Sequence, residues 1–175
     1  MAVELTYQQK VALWGEAAVP VLEQVASEYG GYIYYKEFAE KLVEATGATT
    51  GQGLQNWIGD PLNRVIQYCL DNDLPALSAL VVRATDGKVG EGFNAFLQGT
   101  GQPRVEDPDQ LEWVAAEERL KCYRIYSDLV PTDATPALTR QFQATIDRNE
   151  PKPPPPICSS CYIVLPTSGQ CDCGN

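Results

Sequence analysis

Between residues 9 and 29, apolar side chains recur at helical spacing: Val11, Leu13, Trp14, Ala17, Val21, Leu22 and Val25 share one face. The pattern predicts a helix. Pro20 lies inside it and is expected to kink or split it, because proline lacks the N–H that closes a helical turn. Gly30-Gly31 ends it. Tyr32-Ile33-Tyr34 then reads as a short strand, and 36–46 as a second helix with Phe38, Leu42 and Ala45 on its apolar face and Gly47 just past its end. Residues 48–55, polar and holding Gly51 and Gly53, form a loop. Asp60-Pro61 pairs a capping side chain with a proline suited to the first helical turn, and Leu62, Val65, Ile66, Cys69 and Leu70 follow on one face until Leu74-Pro75.

Farther along, 77–82 reads as a compact buried strand, Asp86-Gly87 as a turn and Lys88-Val89 as the returning strand, which together predict a β-hairpin. The two glycines of Gly90-Glu91-Gly92 let the backbone bend or approach another group closely. After a Gly/Pro-rich link at 99–103, Asp107-Pro108 opens a helix expected to reach about Val130, with Leu111, Val114, Leu120, Ile125 and Leu129 among its apolar residues. Thr135-Pro136 repeats the start signal ahead of Leu138, Phe142 and Ile146. Cys69 and Cys122 fall on apolar helical faces and read as buried core thiols. Lys152 and four prolines, 153–156, make a semi-rigid spacer or a ligand for a proline-reading module, the spacer being the simpler reading beside a separate metal unit.

Charge narrows the functions open to such a chain. Its 23 Asp/Glu outweigh 13 Lys/Arg, a net −10 spread along the whole length. That balance argues against broad contact with phosphate backbone or anionic lipid; it favours solubility, a basic partner or mimicry of a nucleic acid. The chain has no histidine, which removes Ser-His-Asp and Cys-His relays, imidazole metal ligands and the usual general base near neutral pH. No apolar run reaches the ~18 residues a membrane span needs. Met1-Ala2-Val3-Glu4-Leu5 lacks the basic and apolar regions of a secretion signal, so a cytoplasmic, reducing location is expected.

In that setting the end of the chain carries the clearest chemistry. Cys158-Ser-Ser-Cys161 and Cys171-Asp-Cys173 are two close pairs separated by nine residues that include Pro166 and Gly169. Close thiolate pairs on two turns supply tetrahedral zinc ligation without a large fold. Tyr162-Ile163-Val164-Leu165 is predicted to form a strand and Thr167-Ser168-Gly169 the turn that returns the chain. The layout resembles the short zinc-ribbon or zinc-knuckle tails at the ends of many microbial and phage proteins, with a tighter Cys-x-Cys second pair. One structural Zn(2+) per chain is expected on Cys158, Cys161, Cys171 and Cys173; two disulfides, free thiols or an iron–sulfur cluster are the alternatives.

The order strand, helix, loop, helix, hairpin over 32–93 is that of a winged helix. Tyr34-Tyr35-Lys36-Glu37-Phe38-Ala39, Trp57-Ile58-Gly59, Leu80-Val81-Val82-Arg83, Asp86-Gly87 and Gly90-Glu91-Gly92-Phe93 resemble the DNA-binding module of the alkylguanine alkyltransferases and their alkyltransferase-like relatives. The resemblance implies a recognition helix followed by a glycine-rich wing. It also places Ser78 where the family has its acceptor cysteine, Ala79 and Leu80 where a His-Arg follows, and Asn56 where an arginine precedes the recognition helix. Alkyl transfer needs an activated thiolate, and Ser78 has no histidine to activate it, so it is expected to cap a turn or sit in the hairpin. Under this resemblance Asn56, Arg64, Arg83 and Lys88 are the candidate nucleic-acid contacts, and Tyr32, Tyr34 and Tyr35 either stack a base or pack.

The expected fold class is α+β, mostly helical, with a winged-helix-like core and β-hairpin plus a C-terminal zinc ribbon. The expected divisions are 1–103, an N-terminal helix and the core; 104–149, two helices packing on it; 150–156, the linker; and 157–175, the ribbon. The expected function is a non-enzymatic adaptor, regulator or inhibitor working through protein contacts, near nucleic-acid machinery or in phage–host conflict. The alternative is a winged-helix DNA- or RNA-binding protein. An enzyme would need its acidic residues to hold a divalent metal, and nothing in the spacing of Asp71, Asp73 and Asp86 suggests a shared site.

Overall fold

The computed structural model describes residues 4–151, 153–167, 169–171 and 173. The chain divides into two compact units, Met1–Ala144 and Thr145–Asn175. Six helices and one two-stranded sheet are present among the described residues.

In the first unit, α1 spans Tyr7–Ala26 and opens on a capping box: Thr6 accepts from the Gln9 N–H, and the Gln9 side chain accepts from the Thr6 N–H. Pro20 does not split it. The residue is exposed and α1 runs through it, so the missing bond falls on the solvent side. Trp14, Ala18, Leu22 and Ala26, four residues apart, make its fully buried stripe. The turn at Gly30-Gly31 leads to β1 (Ile33–Tyr34) and α2 (Tyr35–Thr46), which ends on Gly47 in the left-handed conformation, φ 67°. α3 covers Gly59–Asp71 and starts two residues before Pro61, the first helical position the sequence predicts. Asp60 does not cap it but accepts a 2.7 Å hydrogen bond from the Tyr7 hydroxyl.

The segment predicted as strand 77–82 is mostly something else. Leu77–Leu80 form a 3-10 turn, and only Val81–Val82 form β2. β2 pairs in parallel with β1, Ile33 opposite Val81 and Tyr34 opposite Val82. Two helices separate the strands in sequence, and such a crossover connection permits parallel pairing. The predicted hairpin survives as one antiparallel bridge, Val82 with Val89, and one bond from the Arg83 N–H to the Lys88 carbonyl.

The sequence reading also missed α4 (Asn94–Gly99). α5 spans Pro108–Tyr126, capped by Asp107, and stops short of Val130; Ile125 and Leu129 are 53% and 79% exposed, not core residues. Leu111 and Leu120 are buried as predicted, and the inner face carries three charges beside them. Glu112, Glu118 and Arg119 are buried, and they satisfy the irregular backbone of 76–89. Glu118 accepts from the Ala76 N–H at 3.0 Å, Glu112 from the Val89 N–H at 2.9 Å, and Arg119 donates to the Ala79 carbonyl at 3.1 Å and to Glu112. A buried segment outside regular structure leaves backbone groups that need such partners. α6 spans Arg140–Asn149, later than the Thr135-Pro136 signal. Its first turn is held by Thr139, whose hydroxyl accepts from the Phe142 N–H and donates to the Gly87 carbonyl. Cys69 and Cys122 are fully buried.

Candidate metal centre

The second unit contains a short turn-and-bridge frame. Ile157 and Val164 form an antiparallel bridge, with the Cys158 N–H donating to the Ile163 carbonyl at 2.9 Å and the Leu165 N–H to the Pro156 carbonyl at 2.8 Å. The strand predicted for Tyr162–Leu165 is reduced to that bridge. Tyr162 has φ +59° and its N–H closes back on the Cys158 carbonyl, so the chain turns where a strand would run straight. The predicted return turn includes Ser168, which lies outside the described residues; Gly169, φ +73°, donates to the Pro166 carbonyl. Lys152 of the spacer and Asp172 between the last two cysteines also lie outside them, while Pro153, Pro154, Pro155 and Pro156 are exposed.

This frame brings the four cysteines together. Their sulfur atoms all lie within 4.8 Å of one another, Cys158 to Cys173 at 3.5 Å and Cys161 to Cys171 at 3.3 Å. Tetrahedral thiolates around an ion with bonds of about 2.3 Å are about 3.8 Å apart, so the cluster has the dimensions of a four-sulfur shell. It can hold a metal ion. One of the thiols fits the charge such a shell carries. The Cys158 thiol is lowered to about 6, first by the Cys161 backbone N–H, then by that of Ser160 and by the neighbouring thiols of Cys173 and Cys161. At Cys161 the Ile163 N–H also pulls down, but the Cys171 thiol and desolvation outweigh it and the net shift is upward. By contrast, burial raises the thiols of Cys69 and Cys122, which are inert core groups.

The other sequence candidates lie in the first unit. Asn56 is exposed at the end of a 3-10 turn, Leu54–Asn56. Arg64, on α3, lies along Gly15, where an added Cβ would sit 2.2 Å from its Cδ, and it shares a groove with Glu16 and Glu23. Arg83 forks onto Asp86 at 3.1 and 2.8 Å. Lys88 pairs with Asp109 and sits 4.3 Å over the Phe142 ring. The tyrosines pack: Tyr32 and Tyr34 meet edge to face at 5.8 Å, and the Tyr34 hydroxyl hydrogen-bonds Gln141. Ser78 neither caps a turn nor reaches a partner. Its buried Oγ has no hydrogen bond among the described residues and lines a cavity of about 100 Å³ with Tyr35, Gly59, Gly90, Gly92 and Phe93. No helix among the described residues is long and apolar enough to cross a membrane.

Sequence reasoning missed the ion pair of Glu112 and Arg119, because two charges seven residues apart on a helix look like surface residues. Comparison with family models, curated proteins and solved structures finds no match to this chain.

Proposed function

We propose that the chain is a non-enzymatic adaptor or inhibitor whose C-terminal unit, held by one structural zinc on Cys158, Cys161, Cys171 and Cys173, presents a protein-docking face. The observation that carries this reading is the union of a four-sulfur cluster with exposed apolar side chains on one small unit. Ile157, Tyr162, Ile163 and Val164 are all more than half exposed, Tyr162 at 81%. A ribbon of this size has no core to hide them in, and contiguous exposed apolar groups mark interaction surfaces. Zinc suits an all-thiolate shell, and four thiolates leave no open position for a substrate or activated water. The acidic balance favours a protein partner over nucleic acid. Arg83 and Lys88 are already committed to carboxylates. A face built on Arg64, Arg83 and Lys88 would neutralise about three phosphates, against the roughly 6–10 of a strong binder. A reducing, cytoplasmic setting is part of the proposal, since it keeps the thiols available for metal.

The test combines metal analysis with two binding assays on the full chain. One zinc per chain is expected, with no binding to random duplex DNA at micromolar protein and physiological salt. Tyr162→Ser combined with Ile163→Ser should retain zinc yet lose a partner captured by the wild type. A zinc-free protein, or submicromolar DNA binding that weakens steeply with salt, would overturn the proposal.

A further inference from the structure

A second region of the first unit has the makings of a small-molecule site. A cavity of about 290 Å³ opens between the turn after α1, one face of α5 and the strap leading into α6. The α5 wall is a helical stripe, Ala116, Arg119, Leu120 and Tyr123, each buried. The turn contributes Tyr29 and Tyr32. This wall is braced: Tyr123 donates a 2.6 Å hydrogen bond to the Gly31 carbonyl and meets the Tyr29 ring edge-on at 5.6 Å. Gly31 has to be glycine for that turn, because a Cβ there would lie 2.7 Å from the Val25 carbonyl oxygen. Ala116 and Ala137, short side chains on facing walls, leave the space open.

The polar features of the cavity point to one ligand chemistry. Arg119 is 2% exposed, and its charge is balanced by Glu112, whose other oxygen is occupied by the Val89 N–H. The bonds from Arg119 to Glu112 and the Ala79 carbonyl use two of the five N–H groups a guanidinium offers, and its planar fork suits a further carboxylate. Arg140 stands at the exposed lip, 6.0 Å over the Tyr32 ring, and supplies a second cation. Glu28 also lines the mouth and disfavours dianions. Three tyrosine rings favour a planar aromatic body through offset or edge contacts. A cavity of roughly 150 Å³ accommodates benzene, so about 290 Å³ has room for one or two fused rings with a short acid arm.

We infer that this cavity binds a small planar aromatic monocarboxylate, its ring against Tyr29, Tyr32 and Tyr123 and its carboxylate between Arg119 and Arg140. The inference is independent of the metal unit. It is tested by calorimetry on the zinc-loaded full chain with indole-3-acetate as probe and its neutral amide as the matched control. Submillimolar binding of the acid is expected, at least tenfold tighter than the amide. Arg140→Ala should weaken the acid about tenfold and leave the amide unchanged. Ala116→Leu, which fills the cavity, should abolish binding of both; if that variant fails to show a cooperative melt, Ala137→Leu on the strap serves the same purpose. Equal affinity for acid and amide, unaltered binding by a folded cavity-filling variant, or no binding to the wild type would overturn it.

Discussion

Replacing Glu112 by alanine should destabilise the first unit more than most single substitutions. Glu112 is 0% exposed and Arg119 2%, so the change strands a guanidinium in the interior and frees the Val89 N–H. Removing one partner of a buried ion pair typically costs about 3–5 kcal/mol, against a few tenths for a surface pair. With a shift of about 3–4 °C per kcal/mol in a domain of this size, the melting midpoint should fall by about 10–20 °C. For a domain whose total stability is about 5–15 kcal/mol, that is a large share.

Urea unfolding followed by near-ultraviolet circular dichroism reports the event through Trp14 and Trp57, both buried in this unit and 4.3 Å apart between ring centroids. Glu112→Gln keeps an acceptor for Val89 and removes the charge, so its cost should be intermediate. Glu112→Leu with Arg119→Met restores volume without charge and should recover more than half the loss, because a buried pair is rarely better than well-packed apolar groups. A loss below about 1 kcal/mol in Glu112→Ala would refute the claim that this pair anchors 76–89 to α5, since a residue so placed cannot behave like a surface side chain.

Other consequences can be measured on the same protein. Gly87→Ala should cost about 1–3 kcal/mol, because Gly87 has φ +73° and a Cβ there would lie 2.7 Å from Thr139 Oγ1; an unchanged urea midpoint would contradict it. Cys161→Ser should lose the metal while the first unit keeps its melting transition, and loss of that transition would refute the independence of the two units. In the chelated native protein, alkylation should modify the four tail thiols and spare Cys69 and Cys122 until denaturant is added; mass spectrometry after partial labelling reads the sites. Cys158 should react first at neutral pH, because a thiol with a pKa of about 6 is mostly thiolate there, and its rate should fall as pH drops through about 6. A rate insensitive to pH between 5 and 7 would exclude that lowering.

How far the sequence exposes the structure depends on how local each determinant is. The four-cysteine cluster is legible because all four thiols lie within one short stretch, in two close pairs. The helical faces of α1, α2 and α3 are legible for the same reason: burial follows a period readable within one element. Residues 77–80 are not. Leu77, Ala79 and Leu80 are as apolar as a strand, but backbone groups in and beside the segment bond to side chains of a distant helix: the Ala76 N–H to Glu118 and the Ala79 carbonyl to Arg119. α4 is short and ends in glycine, so propensity gives no warning of it. Asn94 roots it by bonding both backbone groups of Val105. At Thr135-Pro136 a valid start signal lost to Thr139, whose hydroxyl ties the helix to Gly87 on a distant turn.

Charge tells a similar story at the scale of the whole chain and leads back to the partner. A net of −10 read from composition says only that acid is in excess. The structure adds where several of the cations go: Arg83 to Asp86, Lys88 to Asp109, Arg104 to Glu91 and Glu106, Arg119 to Glu112, Lys121 to Glu118. Each such pair removes a cation from the supply available to an external phosphate and leaves the unmatched acid facing water. Such a surface repels polyanions most strongly at low salt, and attracts a basic protein surface under the same conditions. On the adaptor function proposed above, the tail would supply apolar contacts and charge would guide a basic partner to it. Raising the salt should therefore slow association with a basic partner far more than it speeds release.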